Sequence, residues 1–267
     1  MTEQILKDFF KPKKPVQTDK ASKSFDLSKI VNDLRSPLIN ASTIINADDG
    51  YGEVGMADKH IPMIEITDDL ESLDAIYLTI AKLKYNIRTF VGGIVVSREN
   101  VEDYTEFDFL ELFKQEATKA YNEIRTAEIC KKLGELDVTS VNGIDQVNNE
   151  LAKLSNMVDK NIVMTASALA SLQSENKNLF IDKEANTSNY FYSDGVFVVD
   201  DELLGDKGSK KIFIGSLFET IVLTERGKDY IKWVENNTAY SGNLLFYTRF
   251  DVVLKSREAG KMLELSA

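Results

Sequence analysis

Gly50, Gly52 and Gly55 stand in the stretch DDGYGEVGMADKH, residues 48–60, at the spacing G-x-G-x-x-G. That spacing can clamp a dinucleotide pyrophosphate, because bare glycine backbone lets phosphate oxygens approach the amides of a helix N-terminus. The context argues against it. Such a fingerprint needs a buried strand before it and a helix after it. STIINADD supplies only Ile44 and Ile45, and Pro62 would break the helix that must follow. The competing reading is the tip of a long loop, where glycine tolerates tight bends and close backbone approach. Asp48 and Asp49 also fail as a calcium loop. Counted from Asn46, Tyr51 falls where a glycine is required and Ala57 where the bidentate acid belongs.

The remaining reactive residue types are sparse. His60 is the one histidine and Cys130 the one cysteine. Neither builds a metal-ligand cluster or an intrachain disulfide. The phosphate-binding loop, the zinc-protease helix and the nucleophile elbow are missing as patterns. The acid pairs Asp68–Asp69 and Asp200–Asp201 read as solvated faces. We therefore expect no catalytic, cofactor-binding or metal site, and a protein that is not an enzyme.

The 267 residues are 43% hydrophobic, enough for one large core or two modest ones. No apolar run reaches the roughly 18 residues a membrane span needs. MTEQILKDFFKPKKP lacks an apolar core followed by a cleavage site, which predicts a cytosolic chain. The net charge of −11 is uneven: residues 1–36 hold 8 Lys+Arg against 5 Asp+Glu, so the body carries all the acidic excess. A body this acidic is a poor binder of nucleic-acid phosphate.

Residues 11–24 read as an extended arm, since Pro12 and Pro15 stop any helix begun by EQILKDFF. DLSKIVNDLRSP reads as a short helix ending before Pro37. Residues 40–75 have few large apolar groups and predict a long excursion from the body. The strand period begins at Ile76, Leu78 and Ile80, and Gly92–Gly93 predict a bend or bulge before IVVS. Residues 103–133 are the clearest helix, with Leu110, Phe113, Ala117, Ala120, Ile124 and Ala127 at steps of three and four. Gly134 predicts its stop. GIDQVNNELAKLS reads as a second helix with Ile144, Val147, Leu151 and Leu154 on one face. NIVMT reads as a strand and ASALASLQS as a helix capped near Ser167. GVFVVD, KKIFIG and ETIVLTER read as strands. In LLFYTRFDVVLKSREAGKMLEL, Phe246, Thr248, Phe250, Val252 and Leu254 alternate with Tyr247, Arg249, Asp251 and Val253.

Taken in order, these segments resemble the tailed-phage major capsid proteins of the Hong Kong 97 fold. RTFVGGIVVSREN, with Ser97 and Glu99 at the family's Ser-x-Glu step, leads into a long helix that is similar to its spine. NIVMTASALASLQSE resembles the strand-then-helix pair of the axial domain. GVFVVDDELL and KKIFIGSLFETIVLTERG resemble the strands after it, with Gly215 in the expected turn. NLLFYTRFDVVLKSREAGKMLEL is similar to the final long strand, with Arg249, Phe250 and Asp251 in a frequent form.

The resemblance implies an α+β fold of four parts: an N-arm at 1–36, an E-loop region at 37–75, a peripheral domain at 76–134 and 223–267 that holds the spine helix 103–133, and an axial domain at 135–222. It implies a head protein that self-assembles as a homo-oligomer of hexamers and pentamers. The shell would enclose DNA without sequence-specific contact, in a virion made in the host bacterial cytoplasm. Implied partners are a separate scaffolding protein and a portal protein, with no membrane. The implied contact residues are Phe9, Phe10, Lys13 and Lys14 of the arm and Gly50, Gly52, Gly55 and Lys59 of the loop. Lys59 and Asn243 are the candidate pair for the family's crosslink, but Arg249 and Phe250 stand where its acid is expected. Two alternatives stay open: an encapsulin-like shell around protein cargo, and a small cytosolic α+β enzyme.

Overall fold

The computed structural model describes residues 24–26, 35–57, 80–97, 106–154, 159–175, 195–236 and 241–266. They form two sheets and a separate ribbon. The first sheet is organised on β12 (Ser241–Leu254), fourteen residues of alternating burial. β10 (Ile221–Glu225) and β11 (Tyr230–Asn236) run antiparallel along one edge of β12, and β5 (Arg88–Ser97) along the other. β1 (Ser24–Asp26) adds to β11, and β2 (Thr43–Asn46) adds to β10 in parallel. The second sheet has the order β6-β13-β9-β7-β8. Its strands are β6 (Val138–Val141), β7 (Asn161–Thr165), β8 (Gly195–Val199), β9 (Lys211–Gly215) and β13 (Gly260–Leu265).

The helices follow from burial. α2 (Glu106–Leu133) crosses the inner face of the first sheet, where Tyr121 meets Phe246 edge-on at 6.5 Å. Its buried stripe is Phe113, Ala117, Tyr121, Arg125, Ile129 and Leu133. Two of the positions read from sequence, Phe113 and Ala117, lie on it. Ala120, Ile124 and Ala127 are only half-buried, because the true stripe runs at steps of four. The helix ends before Gly134 as expected, but with no left-handed backbone there; the Gly134 amide simply continues to the Cys130 carbonyl at 2.9 Å. Residues 103–105 and Leu110's side chain lie outside what is described.

α3 (Gly143–Lys153) and α4 (Ala166–Glu175) cover the second sheet, burying Ile144, Val147, Leu151, Ala168 and Leu172. The α4 cap is Thr165, whose hydroxyl accepts from the Ala168 amide at 3.2 Å; Ser167 instead bonds Asp201. Three single-turn helices complete the body: α1 (Pro37–Asn40), α5 (Asp201–Leu204) and α6 (Leu217–Thr220). One cluster, including Ile129, Leu133, Phe213, Phe250 and Met262, joins the two sheets.

Several expectations are corrected. The final stretch is two strands, since β12 ends at Leu254 and β13 starts at Gly260 in the other sheet. Residues 260–265 therefore share a sheet with the 135–222 region, not with 223–254. Residues 37–46 are not excursion but α1 and β2, packed on the first sheet through Leu38 and Ile39. Gly92 and Gly93 form no bulge: all ten β5 positions pair in register with 241–250 of β12. Gly93 is needed for space. A Cβ there would lie 2.6 Å from Leu245 Cδ2 and 3.1 Å from the Leu244 carbonyl oxygen. Gly93→Val is therefore expected to cost about 1–3 kcal/mol by overpacking; urea unfolding midpoints equal to wild type would contradict this. Gly215 closes β9 at φ 148°, where a Cβ would stand 2.4 Å from the Ala259 carbonyl oxygen. Three strand backbones meet there, a tighter constraint than a turn.

Candidate inter-subunit surfaces

The third pairing unit is a ribbon of β3 (Tyr51–Ala57) and β4 (Ile80–Asn86), in register from Tyr51↔Asn86 to Ala57↔Ile80. It pairs with no other strand among the described residues. Alternation splits it into two faces. One carries Gly52, Val54, Leu83 and Tyr85, all half-buried. The other carries Glu53, Lys82 and Lys84, with Lys82 and Glu53 paired at 3.3 Å. Tyr51 is 79% exposed and Ile80 62%. A two-stranded ribbon alone is marginal in water, and this one leaves large apolar groups exposed.

This ribbon corrects the reading of the glycines. Gly52 and Gly55 lie inside a strand and Gly50 at its root, not at a loop tip. The Tyr85 side chain lies across Gly52, where a Cβ would meet its hydroxyl at 2.7 Å. The cavity at the ribbon root, about 320 Å³, is lined by Asp48, Asp49 and Glu53 and by no cation. Three carboxylates repel a pyrophosphate, and Gly52 and Gly55 lie inside a strand, not at a helix N-terminus that could offset them.

The first sheet presents a second surface. Its outer face shows Val91 at 60% and Val95 at 75% exposure, beside half-buried Leu245 and the stacked pair Tyr230–Tyr247 at 4.8 Å. Isolated exposed valines are unremarkable, but a contiguous apolar sheet face marks an interaction site. Asn243 lies on this face, paired with Val95 and Val234.

The inner face holds a buried ion network that sequence reading missed. Arg125, 2% exposed, donates from Nε to Glu225 at 3.0 Å and from Nη2 to Asp229 at 2.8 Å. Glu225 also takes Arg35, just before α1. The Arg125 guanidinium stacks over Phe250 at 5.4 Å and over Tyr121 at 5.7 Å. Burial first, and then Asp229, push the Tyr121 phenol well above its ordinary range. Two guanidinium groups and two carboxylates balance, which makes the burial tolerable. The signal for it in the sequence was weak: a lone Arg at the i+4 position of an otherwise apolar stripe. Elsewhere, the hydroxyl and amide of Ser167 lower the Asp201 carboxyl, so Asp200–Asp201 is a structural corner and not an acid pair for chemistry. Cys130 is fully buried, and burial pushes its thiol up to about 12, so it is no nucleophile at neutral pH.

Phe9, Phe10, Lys13, Lys14, Lys59, His60, Asp68–Asp69 and Glu99 lie outside the described residues, as does the helix expected within 26–36 apart from its ends.

No protein-family model matches the chain, and no curated protein does. Solved structures do match. A virus-like particle from Pyrococcus furiosus superposes with TM-score 0.61 at 14% identity, covering 89% of this chain and 96% of that one. The mature capsid of bacteriophage PhiM1 gives 0.54 at 12%, covering 95% and 90%. The SrpI encapsulin of Synechococcus elongatus gives 0.59 at 9%, covering 94% and 92%. The chain therefore has the Hong Kong 97-type capsid fold, the fold of proteins whose work is to build closed shells. Among the described residues no helix is long and apolar enough to cross a membrane.

Proposed function

We propose that this chain is the major capsid protein of a tailed-phage head, assembling as hexamers and pentamers into an icosahedral shell around double-stranded DNA. The observation that carries this reading is the β3–β4 ribbon, which leaves Tyr51 and Ile80 in water and pairs with no further strand among the described residues. In a shell a neighbouring copy covers it and gains by apolar burial at about 25 cal/mol per Å². The ribbon is the root of the E-loop, with Gly50, Gly52 and Gly55 on it and Lys59 beyond. Residues 1–36 act as the arm, with Phe9 and Phe10 as apolar anchors and Lys13 and Lys14 drawn to acidic neighbours. The acidic body suits a wall that contains DNA without gripping it. A separate scaffolding protein and a portal complete the assembly, and no reaction is catalysed.

The likeness to the SrpI encapsulin supports a second reading, the same shell around protein cargo. Negative-stain imaging of the purified chain, with and without a candidate scaffold, tests both. Closed shells are expected, holding nuclease-resistant DNA when recovered from lysed host cells. Enzyme cargo inside the shells would instead support the encapsulin reading. Persistent monomers at high concentration would overturn both.

A further inference from the structure

Two connections tie the ribbon to the body, and each is gripped by a side chain from the first sheet. On the incoming side, Arg226, directly after β10, donates its Nε to the Asp48 carbonyl at 3.0 Å. Its Nη1 lies 2.9 Å from the place a Gly50 Cβ would take, so the guanidinium fills the space that glycine leaves open. On the outgoing side, the Asp251 carboxylate of β12 accepts from the Asn86 amide at 2.9 Å. The same carboxylate lies 3.7 Å from Arg88, which bonds Glu128 of α2 at 2.6 Å. Between the grips, the Ile87 amide donates to the Gly50 carbonyl at 2.7 Å and locks the two connections together.

None of these groups is fully buried, so none is required by the core. Their position gives them leverage instead. Seven paired residues extend about 24 Å, so a turn of about 10° at the root carries the far end about 4 Å. No other strand pairs with the ribbon among the described residues. We propose that Arg226 and Asp251 form a two-point latch that fixes the angle of the ribbon to the first sheet in the free subunit, so that it meets a second copy already posed. Preorganisation of this kind raises affinity by removing an ordering cost from the binding step. The consequence for assembly rests on the shell reading; the latch itself is a property of the unassembled chain.

The test uses the full chain, dilute and unassembled, with spin labels at Lys82→Cys and Lys119→Cys. Cys130 is fully buried and stays unlabelled. Double electron–electron resonance should give one narrow distance distribution. Lys82 stands four residues from the root, about 14 Å, so Arg226→Ala and Asp251→Ala should each broaden the distribution or move it by about 2 Å or more. Exchange of the Ile87 amide should speed up by about tenfold in Arg226→Ala. Gly50→Ala supplies a milder second variant, since its methyl displaces the guanidinium without removing a charge. A distribution that overlays wild type in Arg226→Ala and Gly50→Ala, with unchanged Ile87 exchange, overturns the latch. In assembly trials the latch variants should give fewer and less uniform shells. If the unsubstituted chain forms no shells the shell reading fails, while the label distances still decide the latch.

Discussion

Replacing residues 51–86 by a two-glycine link is expected to leave a folded, soluble subunit that forms no shells at all. The cut is local, because the Gly50 carbonyl and the Ile87 amide it joins are already 2.7 Å apart. Every strand of both sheets remains, as do α2 and the cluster that joins the sheets. What leaves is the ribbon with Tyr51, Ile80 and its half-buried Val54, Leu83 and Tyr85. Thermal melting should move by only a few degrees, since exposed groups away from the core contribute little. Imaging at concentrations where the full chain assembles should show only dispersed particles. Regular shells from the shortened chain would remove the ribbon from the interface. Collapse of the melting transition would show instead that it belongs to the core.

Arg125→Ala is expected to be the most damaging single change to the fold, at about 3–5 kcal/mol, because it strands Glu225 and Asp229 as buried carboxylates. For a chain of this length that lowers the melting temperature on the order of 10 °C. Arg125→Lys should recover less than half of the loss. An ammonium is a point charge and cannot fork between Glu225 at 3.0 Å and Asp229 at 2.8 Å. Arg35→Ala should cost less, since Arg125 still neutralises Glu225. Calorimetry on the four proteins decides this. If Arg125→Ala melts with wild type, the network does not anchor α2 to the sheet.

Local periodicity made much of the body legible. Ile144, Val147 and Leu151 are buried along α3 at the predicted steps, and β7 occupies NIVMT residue for residue. The alternation of Phe246, Thr248, Phe250 and Val252 is the buried face of β12. What stayed hidden depends on partners distant in the chain. YGEVGMA looks like loop because its glycines are judged alone; its strand character comes from pairing with residues 80–86. Gly92–Gly93 looked like a bend because nothing nearby reveals that Leu245 crowds against position 93. Arg125 was passed over because a helical arginine is ordinarily solvated, and its two carboxylates arrive a hundred residues later. The break at 255–259 was read through because the segments on either side, LLFYTRFDVVL and KMLEL, both have strand character.

The pairing order of β12 and β13 governs when this protein can fold. Among the described residues, β12 is the strand that joins β5 to β10 and β11, and β13 the strand that joins β6 to β9. Every one of these partners precedes residue 241 in the chain. A ribosome that has translated 240 residues has therefore made nearly all the strands and completed neither sheet: β5 and β6 have no neighbour, β10 and β11 have only β2 and β1, and of the second sheet only β9, β7 and β8 can pair. Such a nascent chain carries unpaired edges and uncovered apolar faces, which recruits chaperones. Both sheets are completed only when 241–265 has been made, since β12 and β13 lie within it. Chains broken off before that point lack β12, the strand on which the first sheet and its ribbon are mounted. A fragment released early is thus handed to proteolysis before it can compete for a place among complete subunits.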